Sequence, residues 1–267
     1  MKTLHFLSTL AFTLLFLCLS ATAANNCNDP NGVLNTTYAW QMDGLLVWTQ
    51  GAQTTNFAPL ATAGSLTFDG KGDLSGEHDT NLGGLLIPHT DTGSYNVNPD
   101  CETGTMSLSN GLTLSFVIVG KGKKLKLGST APGGVSSGTL SMMPAACSAD
   151  TLASKTYGYS THGFRGKGKN FPRRIGFLVP FANVGHLAFA PDGTLSGVND
   201  LNLGGKPYTG QPITGTYTVN SDCTGSATMT VGGKDQSIHF VILDGADEVI
   251  FVSTPTGSLW SGTLTQE

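Results

Sequence analysis

Charge is scarce in this sequence. Lys, Arg, Asp and Glu together make 12% of its 267 residues, about half the share usual in soluble domains. The balance is −4 at pH 7, which excludes a generic polyanion binder, because affinity for nucleic acid comes mainly from neutralising phosphates. Helix signals are missing too. No amphipathic run is long enough for a crossover helix, and without crossovers parallel strand pairing is excluded. Only residues 148–154, with Ser148 or Asp150 as N-cap, fit a short helical turn. There is no Gly-x-Ser-x-Gly elbow, and no glycine loop leads into a helix, so the common nucleophile and phosphate-cradling signatures are absent. The five cysteines include no Cys-x-x-Cys pair, so a zinc site built on such pairs is excluded. In excess is glycine, with 36 residues, nearly twice its ordinary share. The 39% of hydrophobic residues is enough apolar surface to bury, which excludes a disordered chain.

The N-terminus reads as a signal peptide over residues 1–23. Lys2 supplies the positive region, residues 4–19 form a nearly unbroken apolar stretch, and Ala21-Thr22-Ala23 is a small-x-small cleavage site. No other stretch could span a bilayer, so the mature chain is expected to be secreted or periplasmic with no membrane span. Losing Lys2 leaves it at −5.

The mature chain is a tandem repeat. Residues 64–84, GSLTFDGKGDLSGEHDTNLGG, match residues 185–205, GHLAFAPDGTLSGVNDLNLGG, at 12 of 21 positions with an offset of 121. The match continues as GSYNVNPDC at 93–101 against GTYTVNSDC at 215–223. It closes as FVIV at 116–119 against FVIL at 240–243 and SGTL at 137–140 against SGTL at 261–264. A period of this length is a whole small domain rather than a solenoid unit. The expected organisation is 24–145 and 146–267, with one merged barrel as the alternative.

Each copy reads as β throughout. Runs such as 105–108 and 112–116 alternate with the two-residue period of half-buried strands. Asn110-Gly111, Asp69-Gly70 and Asp192-Gly193 mark tight turns. About seven or eight strands per copy are expected. An open meander would expose its edges, whereas a barrel removes them, so two antiparallel meander β-barrels are predicted, with a sandwich as runner-up. Four cysteines remain after cleavage. Equivalent positions in duplicated domains should pair equivalently, giving Cys27–Cys101 and Cys147–Cys223. Each bridge would then be worth roughly 4 kcal/mol in the chain-entropy picture.

The Gly-x-Leu-x-Phe, Leu-Ser-Gly and Gly-x-Tyr-x-Val-x-x-Asp-Cys pattern resembles exported bacterial tandem-repeat proteins of unknown function, whose domains are similar to calycin and allene oxide cyclase-like β-barrels. The resemblance covers nearly the whole mature chain and implies a barrel fold. No catalytic residue of the cyclases maps onto a position here.

Glu77-His78-Asp79, with His89 and Asp91, is the densest titratable group of the first repeat. Strand alternation puts Glu77 and Asp79 on one face and His78 on the other, and a solvated strand end is the expected reading. Asp79/Asp200 and Asn81/Asn202 read as turn chemistry. The cations Arg165, Lys167, Lys169, Arg173 and Arg174, and Lys121, Lys123, Lys124 and Lys126, read as solvated hairpins. Asn35-Thr36-Thr37 is a glycosylation sequon. The aromatics Tyr38, Trp40, Trp48, Tyr157, Tyr159 and Phe164, in the first strand of each copy, are the candidate ligand-binding residues, since an eight-stranded barrel can hold one small molecule. No catalytic residue, metal or cofactor is expected. The favoured function is binding of a small apolar or amphipathic ligand by a non-catalytic barrel. A structural or surface module contacting a cell-surface polymer is the first alternative, and an allene oxide cyclase-like isomerase or cyclase the second.

Overall fold

The computed structural model describes residues 27–50, 54–166 and 178–267, with side chains described for 27–47, 57–166 and 178–267. The leader expected over 1–23, the Trp48 side chain, and Lys167, Lys169, Arg173 and Arg174 lie outside the described residues.

Sixteen strands are present among the described residues. The first eight are β1 (Thr37–Gln50), β2 (Thr54–Phe68), β3 (Asp73–Leu82), β4 (Leu85–Val97), β5 (Thr103–Leu108), β6 (Thr113–Val119), β7 (Lys124–Ser129) and β8 (Gly134–Met142). The second eight are β9 (Lys155–Gly166), β10 (Leu178–Phe189), β11 (Thr194–Leu203), β12 (Lys206–Val219), β13 (Thr224–Val231), β14 (Lys234–Ile242), β15 (Glu248–Ser253) and β16 (Ser258–Gln266). Within each repeat, every strand pairs antiparallel with its sequence neighbours. β1 closes on β8, and β9 on β16, so each repeat is a complete barrel. Neither the merged barrel nor the sandwich occurs.

Alternation carries the fold. In β7, Leu125 and Leu127 point inward while Lys124 and Lys126 face water, and in β5 Met106 and Leu108 alternate with exposed Thr105 and Ser107. The turns are chemically specified. Gly83-Gly84 and Gly204-Gly205 join β3 to β4 and β11 to β12 with both φ angles positive, from 58° to 91°, a conformation that only residues such as Gly adopt cheaply. Asp69 Oδ1 accepts from the backbone N–H groups of Lys71, Gly72 and Asp73, and the first of these bonds holds its carboxyl below the usual range. Residues 149–151 form a 3-10 turn capped by Ser148.

Both barrels close one end in the same way. Tyr38 donates its hydroxyl to Gly122 O at 2.7 Å, and Tyr157 to Ala246 O at 2.8 Å. Edge-to-face rings continue each plug, Tyr38–Phe68–Tyr95 and Tyr157–Phe189–Tyr217. The disulfides Cys27–Cys101 and Cys147–Cys223 form as the duplication requires, with Cα–Cα distances of 6.0 and 4.9 Å.

The barrels pack against each other through different outer faces. Barrel 1 uses β1–β3, and barrel 2 uses β14–β16. Ala61 and Ala63 meet Val252 and Leu259, with Phe164 packed against them. Asn81 is fully buried there, donating to Ser253 O and Ser258 O, both at 2.8 Å. Ser261 donates to Asp43, whose carboxyl is raised above the usual range by burial. His239 lies 2.5 Å from Asp79, a hydrogen bond that raises the imidazole pKa.

Candidate functional site

The interiors of the two barrels have diverged. In barrel 1 the centre is filled. Trp40, with no exposed surface, packs on His78 at 4.5 Å between ring centroids. His78 in turn stacks on His89 at 4.8 Å. The His78 Nδ1 atom is 3.2 Å from Asp91 Oδ2, but the two are not aligned for a hydrogen bond, and both His78 Nδ1 and Trp40 Nε1 lack a partner. Asp91 is buried and accepts from Ser109 Oγ and Asn110 Nδ2, both at 3.2 Å. Burial holds the His78 pKa down, to about 4, against the attraction of Asp91. The expectation of a solvated strand end is therefore corrected: alternation does separate His78 from Glu77 and Asp79, but His78 points into the barrel and Asp91 is buried beside it. Whether a strand's polar face lies inside is not readable from a two-residue period alone.

In barrel 2 the equivalent pair is Tyr159 and Asn199, and a cavity of about 200 Å³ opens beside them. Its floor is apolar, with Leu187, Met229, Ile238 and Leu264, and its wall carries the aromatic trio Phe181, Phe251 and Trp260. Tyr159 donates to Asn199 Oδ1 at 2.8 Å, which satisfies a buried amide, and burial raises the phenol pKa. Thr161 donates to Asn183, its cross-strand partner on the neighbouring β10. Gln211, Gln236, Arg165, Lys234, Tyr208 and Ser258 complete the polar lining, and no acidic side chain is among the lining residues.

Of the aromatics expected to bind a ligand, Tyr159 lines this cavity. Tyr38 and Tyr157 plug the closed ends, and Trp40 fills the core of barrel 1. Phe164 lies on the outer face of β9 against barrel 1. Strand parity separates them: Tyr157 and Tyr159 are odd-numbered and point inward, while Phe164 is even-numbered. Phe181 and Trp260 carry no local signal of a site, because their strands come together only on barrel closure. The reading of Arg165 as part of a solvated hairpin is corrected: it lies in β9 and lines the cavity.

No family model matches the chain, and no curated protein matches it. Among solved structures, transferrin binding protein B of Haemophilus parasuis is similar at 8% identity over 87% of this chain and 76% of that one, with a TM-score of 0.32. The isotype 1 transferrin binding protein B of Neisseria meningitidis aligns at 9% identity over 87% and 76%, TM-score 0.26. The Myxococcus xanthus hemagglutinin, in complex with a mannopentaose, aligns at 15% identity over 86% and 99%, TM-score 0.15. Likenesses this distant carry no argument about what the chain does.

Proposed function

We propose that this is an exported, non-catalytic binding protein of the calycin-like kind, in which barrel 2 holds a small amphipathic molecule and barrel 1 is its packed structural companion. The observation that carries this reading is the cavity in barrel 2, apolar at its base and aromatic at its wall. An apolar cavity of about 150 Å³ accommodates benzene, so a space of about 200 Å³ fits a single ring or a short branched chain. Two cations and no carboxylate among the lining residues favour a ligand whose anionic group points to Arg165 and Lys234. Export is supported by the leader-like N-terminus and the two disulfides.

The test is titration with benzoate, phenylacetate and cinnamate against toluene and benzyl alcohol, read by calorimetry and by the fluorescence of Trp260. The carboxylates are expected to bind, and Arg165→Gln or Lys234→Gln to weaken them about tenfold each, the worth of one charge-assisted hydrogen bond, with little effect on the neutral compounds. Tyr159→Trp, which installs the residue that fills barrel 1, is expected to abolish binding while leaving the fold intact. If no compound perturbs Trp260 or raises the melting temperature, the binding role is lost and a structural module becomes the better account.

A further inference from the structure

The contact between the barrels is heterologous, because two different patches meet. Such a contact leaves one unused copy of each patch when the two partners are themselves repeats. The first patch, on β1–β3 of barrel 1, contains Pro59, Ala61, Ala63, Asp79 and Asn81. Its counterparts on barrel 2 are Pro180, Ala182, Val184, Asp200 and Asn202. Four of the five are identical, only Val184 departing from Ala63, and the Gly-Gly turn follows in both copies. Ala63 is 4% exposed, yet Val184 is 55% exposed, and Asn202 is exposed where Asn81 is fully buried.

The second patch, on β14–β16, has a partial counterpart on β6–β8, where Gly128, Lys126 and Ser115 stand in place of Val252, Ile250 and His239. Leu259, Ser261 and Thr263 correspond to Val135, Ser137 and Thr139, and Ser253 to Ser129. Leu259 is 5% exposed against barrel 1, while Val135 is 64% exposed. Val117 and Val119 also stand out from β6, although their counterparts Val241 and Leu243 are buried. One polar atom points the same way. Ser253 Oγ is engaged by Asn81, Ser258 O and the Trp260 N–H, whereas Ser129 Oγ is buried with no partner. Exposed apolar side chains gathered into matching patches mark an interaction site rather than random surface.

We propose that a second copy of this chain docks its β6–β8 face onto the β10–β11 face of the first, repeating between molecules the pairing that joins the two barrels within one, and so builds head-to-tail chains. In that contact Asn202 takes the place of Asn81, donating to Ser129 O and Gly134 O of the next molecule, and Val135 lies over Ala182 and Val184. This inference does not depend on the barrel 2 cavity holding a ligand.

Sedimentation velocity of the full mature protein, from dilute to concentrated, tests it. Wild type is expected to grow past the dimer as concentration rises. Val135→Lys and Val184→Lys, both at exposed positions where folding is not threatened, are each expected to remain monomeric alone. Mixed in equal amounts they are expected to form a one-to-one dimer that grows no further, because each still offers one intact patch. Wild type that stays monomeric at the highest concentration reached overturns the proposal. So does growth that neither lysine reduces, or a mixture that shows no dimer.

Discussion

Asn81→Ala is expected to lower the unfolding free energy by about 4 kcal/mol, whereas Asn202→Ala, the same change at the matching position of the second repeat, is expected to shift it by less than about 0.5 kcal/mol. Asn81 is fully buried and donates to Ser253 O and Ser258 O, while its Oδ1 accepts from the Gly84 N–H at 2.9 Å. Truncation leaves two carbonyls and one N–H without partners at the barrel interface. Each orphaned buried group costs roughly 1–3 kcal/mol. Asn202 is exposed, so water replaces whatever its side chain loses. Denaturant titration of both variants, at a concentration where the chain is monomeric, decides the matter. Equal losses would mean that the interface does not depend on Asn81, and the structural difference between the repeats would have no energetic meaning.

The second large effect is on acid stability. His78, 6% exposed, has its pKa lowered from 6.5 to about 4 by burial. The unfolded chain therefore binds a proton between those values that the folded chain refuses. Unfolding takes up protons in that window, so stability is full above pH 6.5 and falls as the pH drops toward 4, by about 3 kcal/mol in all. The groups facing this imidazole are Asp91, which favours the charged form, His89, which opposes it, and the Trp40 ring, while Asp79 on the outer face of the same strand adds a smaller attraction for the charged form. Replacing His78 with Asn, the residue found at the equivalent Asn199, is expected to flatten this part of the profile. Protonation beside Trp40 should also change its fluorescence in the folded state below pH 5. A profile with the same slope in His78→Asn would assign the acid sensitivity to other groups.

What was legible in the sequence was what is local. Turn dipeptides, two-residue alternation and the duplicated Tyr-x-Val-x-x-Asp-Cys strands lead to two meander barrels and to both disulfides, because antiparallel neighbours need only short-range information. Asn81 shows where that reach ends. Its reading as turn chemistry is correct for Oδ1, which holds the Gly84 N–H. Its Nδ2 reaches residues more than 170 positions away, and Asn202 carries the same local signal without the distant partners. His78 and Phe164 teach the same lesson from opposite sides. A polar residue can face inward and an aromatic one outward, and strand parity reveals this only once another side chain on the strand has been placed. The barrel 2 cavity depends on side chains from all eight of its strands, which come together only in a closed barrel.

The pairing of β2 with β14, β15 and β16 has a consequence for how the chain is made. Barrel 1 can close as soon as β8 has been synthesised, since its meander needs nothing further downstream. Its β1–β3 face, with Ala61, Ala63 and Asn81, then waits uncovered until the last of the sixteen strands emerges. During that interval the nascent chain displays an apolar patch shaped to accept another molecule's barrel. Premature termination anywhere in the second repeat would make this interval permanent, so truncated chains should be sticky rather than unfolded.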